Sequence, residues 1–300
     1  MSVTSQENDG VSQASEQSLT DEVLASFAGA ASSRLRQIME SLVAHLHAFA
    51  REVRLTQSEW ENGIEFLTRV GHITTDKRQE FILLSDVLGL SMLTVDINAP
   101  ASAGATESTV FGPFYVADPP EIPLGGDIAR GAKGTPCYVC GTVRSIDGTP
   151  LPHAQIDVWE CDEDGLYDVQ YRDGRSAGRG RLRAGDNGEY RFWSVRPVPY
   201  PVPDDGPVGD LIQAAGRSPM RAAHLHFKVD AEGHRTLITH IFLAGDDYLA
   251  RDAVFGVKQS LVVDYAEHPP GTVPDGTRLD RSWLSIEFDI VLAPGEEDHS

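Results

Sequence analysis

Cysteine is scarce in this chain. Three among 300 residues are too few, and odd in number, for a disulfide framework, which points to a reducing compartment. Long apolar runs are missing too: the most apolar stretch, FILLSDVLGLSMLTV, is broken by Asp86 and is shorter than the ~20 residues a membrane-spanning helix needs. Basic charge is in deficit, with 25 Lys and Arg against 45 Asp and Glu, for a formal net charge of -20. Such a surface repels nucleic acid and anionic membranes but does not exclude a neutral ligand. The opening MSVTSQENDGVSQASEQS lacks the basic-then-apolar order of a secretory signal. These absences predict a soluble, cytoplasmic protein with no nucleic-acid or membrane partner.

Along the chain, composition predicts a disordered tail over residues 1–18, rich in Ser, Gln and acidic residues. A helical region, 19–107, follows. Leu35, Ile38, Met39, Leu42, Leu46, Phe49 and Val53 recur at steps of three and four and so share one helix face. TQSE at Thr56–Glu59 has capping-box spacing, and NAPASAGATES is a small-residue linker. Residues 108–293 then carry frequent Gly and Pro and short alternating runs such as CYVCGTVRSI, QIDVWEC, GEYRFWSV, HLHFKV and TLITHIFL. Many short strands between turn signals predict an antiparallel sandwich or barrel. Residues 294–300 form an acidic tail.

The tripeptide HLH occurs twice. In ESLVAHLHAFAREV the period is helical, so His45 and His47 are separated by roughly 200° and cannot meet at one ion. His45 borders the apolar stripe and His47 is expected toward solvent. In RAAHLHFKV the period is two, so His224 and His226 share a face with Cα atoms about 6.7 Å apart, and both imidazoles can converge on a metal.

Two donor sets compete to complete such a site. Cys137 and Cys140 at C-x2-C spacing would make a Cys2His2 zinc site, but TPCYVCGTV reads as a strand, on which residues three apart face opposite sides. Tyrosines are the other choice. Tyr167 follows a Gly turn in DEDGLYDVQY, and Tyr200 lies between prolines in SVRPVPYPVP, where a stiff backbone can aim a side chain. A phenol with pKa ~10 becomes a useful ligand only beside a strongly acidic cation such as ferric iron. Tyr171 and Tyr190 are competitors that spacing does not eliminate.

DGLYDVQY, RPVPYPVP and RAAHLHF, in this order, together with ESTVFGPFYV upstream, resemble the intradiol ring-cleaving dioxygenases, the catechol 1,2-dioxygenase group. The resemblance runs from the N-terminal helices to about residue 292. It implies an α+β fold, with a helical N-terminal dimerisation region followed by an antiparallel β-sandwich catalytic domain. It also implies one Fe(III) per subunit held by Tyr167, Tyr200, His224 and His226, with Tyr200 and Arg221 as catalytic residues. The partners implied are an aromatic diol or triol and O2, a second copy of the chain, and a phospholipid where the helices of two subunits meet. The apolar helix face is equally compatible with packing on the sandwich.

Within that group, FILLSDVLGLSML and TESTVFGPFYV are most similar to members that cleave hydroxyquinol, benzene-1,2,4-triol. By the same resemblance Leu83, Asp86, Val110, Phe111, Gly112, Phe114, Pro201, Val202, Pro203 and Val254 line the substrate pocket. Asp86 is assigned to the third hydroxyl of the triol. Strand parity alone sets Arg221 and His224 on opposite faces, so Arg221 reaches the site only if the chain bends between them. His240 in LITHIFL stands where many catechol-cleaving members carry glutamine. Catechol or a substituted catechol is the alternative substrate; a zinc protein or a transthyretin-like binding sandwich is the alternative from other classes.

Overall fold

The computed structural model describes residues 4–75, 78–99 and 103–295, so the expected tails at 1–18 and 294–300 fall partly outside the described residues. Six α-helices are described: α1 (Thr4–Ser26), α2 (Ser33–Glu52), α3 (Gln57–Ile73), α4 (Glu80–Val87), α5 (Leu90–Asn98) and α6 (Pro207–Ala214). The strands are β1 (Pro136–Ser145), β2 (Gln155–Trp159), β3 (Arg179–Arg183), β4 (Glu189–Val195), β5 (Tyr200–Pro201), β6 (Met220–Arg221) and β7 (His224–Asp230). They continue with β8 (Leu237–Leu243), β9 (Val262–Val263), β10 (Tyr265–His268), β11 (Gly271–Thr272), β12 (Arg278–Leu279), β13 (Trp283–Glu287) and β14 (Ile290–Leu292). The chain divides into two compact units, 1–68 and 69–300.

In the first unit, Ser32 caps α2 by accepting from the Leu35 amide at 3.0 Å. The capping box at α3 forms as the spacing predicts: Glu59 N–H donates to Thr56 Oγ1 (3.3 Å) and Thr56 N–H to Glu59 Oε2 (2.9 Å). The stripe of Leu35, Ile38, Leu42, Leu46, Phe49 and Val53 stays exposed, each side chain between 46% and 55%. Two expectations differ from the structure. The stretch read as a disordered tail is helical from Thr4 on, as the first part of α1, whose later part packs on α2 through buried Thr20. That contact also reverses the roles of the first histidine pair. His47 turns inward, its Nδ1 2.9 Å from Thr20 Oγ1, while His45 is exposed and bonds the Ser41 carbonyl.

The second unit is a sandwich of two five-stranded sheets. One runs β10-β13-β1-β14 with β4 along β1; the other runs β3-β2-β7-β8-β9. Most pairings are antiparallel, as expected. β1 with β13, β1 with β14 and β8 with β9 are parallel, which the long connections between those strands allow. The core lies between the sheets, where Val139, Val143, Phe192 and Ile286 of one meet Ile156, Leu182, Leu225 and Ile241 of the other. On β7 the two-residue period sends Leu225, Phe227 and Val229 into this core and puts His224 and His226 on the other face. The helices α4 and α5, read from sequence as part of the N-terminal region, belong to this unit. α4 is tied to α6 by Val208 N–H, which donates to Glu80 Oε1 at 3.2 Å.

Candidate metal centre and active site

Behind the core sheet, side chains from two strands and one loop converge. His224 and His226 are 0% and 1% exposed, with their Nε2 atoms 3.2 Å apart. Tyr167 Oη lies 2.9 Å from His226 Nε2 and 3.1 Å from Tyr200 Oη, and Tyr200 Oη lies 3.3 Å from His224 Nε2. These four atoms close a ring whose edges suit donors held about 2 Å from one centre. His224 Nδ1 bonds the Ala222 carbonyl at 2.6 Å, which leaves the Nε2 lone pair facing the ring.

Local sequence explains how each tyrosine is aimed. The Gly165 turn (φ +76°) delivers Tyr167, whose ring stacks on Phe114 at 4.3 Å. The next residue, Asp168, is locked by Arg179 in a buried ion pair, and Arg179 also donates to the Phe114 carbonyl at 3.0 Å. Tyr200 sits in β5, paired directly with Arg221 of β6. Arg221 is therefore not part of β7 at all: the chain bends at Ala222–Ala223, and the parity argument does not apply. Its Nη1 lies 3.1 Å from His224 Nε2, and its Nε donates to Asp252 Oδ1 at 3.2 Å.

The electrostatics suit a cation with anionic ligands. Burial pushes the Tyr167 phenol well up, helped by Tyr200 beside it. Burial also pushes Tyr200 up to about 12, while Arg221 pulls it down. Burial depresses His224 and His226 far below the ordinary imidazole range, so both are neutral donors. Burial opposes the Arg221 charge, but Asp252 and the two phenols hold its pKa above the usual value. The residues present fit a metal ion: two neutral nitrogens, and two phenols that need a strong cation to ionise.

Over this ring opens a cleft of about 290 Å³. Leu83, Asp86, Val110, Gly112 and Phe114 line it, as do Val202, Pro203 and Val254, beside Tyr200 and Arg221. Two residues expected there are not brought to it. Phe111 packs behind it on Tyr115 (4.5 Å) and Trp159 (5.9 Å), and Pro201 is exposed to solvent because Tyr200 and Val202 on either side of it turn inward. Sequence reading missed Arg78, Glu80 and Asp205 at the rim, where Arg78 bonds Asp205 at 2.8 and 3.1 Å and Glu80 at 3.1 Å. The charged run DKRQE was the available signal, and it reads as an ordinary solvated surface.

The rival assignments separate here. Cys137 is buried in the sandwich core and Cys140 packs with Trp193 and Leu279, so β1 sends them to opposite sides and no cysteine joins the histidines. Tyr171 is occupied with Asp162 (2.7 Å) and Tyr190 with the Phe288 carbonyl. His240 does join: it is 0% exposed, and one ring nitrogen from each of His224, His226 and His240 lies within 4.8 Å of the others.

Fold and site define a β-sandwich with a buried cluster of histidines and tyrosines that could hold a metal ion, beneath a mostly apolar cleft. Comparison with known proteins assigns the particular family. The model of the family described as "Dioxygenase" matches residues 112–294, and that of "Catechol dioxygenase N terminus" matches 32–106. Hydroxyquinol 1,2-dioxygenase of Rhodococcus opacus is 61% identical over 282 residues, 93% of this chain and 94% of that protein. The 6-chlorohydroxyquinol 1,2-dioxygenase of Cupriavidus pinatubonensis is 51% identical, over 92% of this chain and 96% of its own. The solved structure of hydroxyquinol 1,2-dioxygenase from Pseudomonas putida DLL-E4 superposes with a TM-score of 0.88 at 42% identity, covering 94% of this chain and all (100%) of the other. The chain belongs to the intradiol ring-cleaving dioxygenase family.

Proposed function

We propose that the protein cleaves hydroxyquinol with O2 between its two adjacent hydroxyl-bearing carbons, giving 3-hydroxy-cis,cis-muconate, a tautomer of maleylacetate. The observation that carries this choice is Asp86, a carboxylate only 5% exposed that shares its cleft with Tyr200 and Arg221. Ser91 hydrogen-bonds this buried carboxylate, which keeps further acceptor capacity in a mostly apolar cleft, and the third hydroxyl of the triol is a donor suited to it. Among the named relatives, those with more than half of their residues identical act on hydroxyquinol or its chlorinated form.

Tyr167, Tyr200, His224 and His226 would hold the ion, and ferric iron there would supply a Lewis acid that stabilises the phenolates and draws electron density from the diol. The protein residues do the rest. Tyr200 lines the cleft with its Oη 3.3 Å from His224 Nε2, so as a phenolate released toward the substrate it is placed to take a proton from it. Arg221 sets a fixed positive charge beside the reacting ring, where negative charge grows as oxygen adds; such preorganised charge is commonly worth ~3 kcal/mol. Leu83, Val110, Phe114 and Val254 exclude water from the cleft. Asp86, raised by burial and pulled back by a hydrogen bond with Ser91, accepts from the third hydroxyl.

A homodimer formed through the N-terminal helices, with phospholipid at the junction, is part of the same reading. The exposed apolar stripe of α2 supports it. A cytoplasmic location is supported by three unpaired cysteines, and among the described residues no helix is long and apolar enough to cross a membrane.

Oxygen uptake by the iron-loaded protein tests the assignment. Hydroxyquinol should be strongly preferred to catechol, and Asp86→Ala should erode that preference, by as much as ~10⁴ if the carboxylate is left unpaired with catechol. A wild-type preference for catechol, or an unchanged ratio in the variant, refutes the role given to Asp86.

A further inference from the structure

His240 is the one buried histidine among the described residues whose ring has no partner on either nitrogen. It lies on β8 directly opposite His226, at a ring-centroid distance of 4.1 Å and nearly perpendicular (85°). Its ring is 4.9 Å from that of His224. A ring with two polar atoms, fully enclosed and unpaired, is costly to keep, and an alanine or leucine there would avoid the cost. The ring instead completes a triangle of imidazoles with one ligating nitrogen each, all within 4.8 Å of one another.

We propose that His224, His226 and His240 form a second donor set in the same pocket, which takes a divalent first-row cation such as Co²⁺ or Zn²⁺ without the tyrosines. Three neutral nitrogens suit borderline divalent ions, and a fourth position left to water is the usual arrangement of a three-histidine site. Hard phenolate oxygens suit a trivalent ion instead. Nitrogens about 2 Å from one ion in a tetrahedral site lie ~3.3 Å apart, so the His240 ring must swing toward its neighbours. It has no hydrogen bond to break in doing so. The pocket thus offers overlapping sets that share His224 and His226 and differ in whether Tyr167 and Tyr200 or His240 complete them. The inference rests on the proposed ferric site for the role of the tyrosines only.

The test is metal binding rather than turnover. Apoprotein of the wild type, His240→Gln and Tyr167→Phe is titrated with Co²⁺, read by its visible d–d absorption, and with Zn²⁺ by calorimetry. Each is also loaded with Fe³⁺ and read by the tyrosinate charge-transfer band. His240→Gln should weaken Co²⁺ and Zn²⁺ at least tenfold and keep the ferric band; Tyr167→Phe should change divalent affinity less than twofold and lose or shift that band. Unchanged divalent affinity in His240→Gln overturns the proposal, and so does equal loss in both variants. Loss of every metal by His240→Gln makes the residue structural and overturns it too. A wild type without the ferric band would sink the proposed function and leave the cobalt comparison standing.

Discussion

Glu160 is a buried acid that the proposed chemistry does not use, and its protonation should set how the sandwich responds to pH. It follows Trp159 at the end of β2 and is 1% exposed. Ser194 Oγ and the Val195 amide (3.2 Å) both donate to Oε1, while Oε2 has no partner. Burial pushes its carboxyl from 4.5 up to about 8, the two hydrogen bonds pull it back, and Asp127 adds to the rise. The native state therefore keeps a proton that the unfolded chain releases near its ordinary pKa. The sign follows: this contribution to stability is fully present below about 4.5 and is lost as pH rises through about 8. At ~1.4 kcal/mol per pH unit, the loss between about pH 5 and pH 7 is about 3 kcal/mol. Glu160→Gln keeps the shape and the neutral charge at all pH values. Urea unfolding followed by tryptophan fluorescence at both pH values should find the variant gaining about 3 kcal/mol on the wild type from the lower to the higher. A difference between the two proteins that stays constant across that range would refute the reasoning, because it would mean Glu160 is ionised in the native state throughout.

Two further outcomes bear on how the site is held. Arg179→Met strands Asp168, which is nearly fully buried, and should cost ~3–5 kcal/mol while shifting the ferric tyrosinate band, since Arg179 fixes both the Tyr167 turn and the Phe114 carbonyl. A thermal melt and an absorption spectrum check this, and Arg179→Lys should recover part of the stability. Gly112→Ala forces a side chain into φ +77° and puts its Cβ 3.1 Å from His226 Cε1. It should cost ~1–2 kcal/mol from the backbone alone and lower the iron retained per subunit, measured by metal analysis after gel filtration.

How much of this was legible beforehand depends on whether a feature is local. The second HLH was readable because a strand repeats every two residues, and the same repeat sent Leu225, Phe227 and Val229 to the core. The capping box at Thr56 and the apolar stripe of α2 are local in the same sense. The tyrosines were not separable by spacing. What distinguishes Tyr167 from Tyr171 is an ion pair between Asp168 and Arg179, eleven residues on, and the partner Tyr171 finds in Asp162. Only the family resemblance chose between them. The inward turn of His47 likewise needed α1, a helix the composition did not suggest. The rim of Arg78, Glu80 and Asp205 joins positions far apart in the chain, and no window of sequence contains it.

Arg221 locates the limit of such reading. Counting from His224 along one strand puts it on the wrong face, and the count is correct as long as the strand is continuous. The structure has two strands there: β6 pairs with β5 and faces Arg221 across from Tyr200, and β7 begins only after Ala222 and Ala223. The backbone amides of those two alanines account for the break. Ala222 N–H donates to Asp252 and Ala223 N–H to Asp246, each at 3.2 Å, so neither amide is free for a strand partner. The carboxylate that bends the chain, Asp252, is also the one that pairs with the guanidinium. One acidic side chain thirty-one residues away thus both turns Arg221 toward the site and keeps it charged there. Parity within a strand is dependable physics, but where the strand ends was decided by a distant residue.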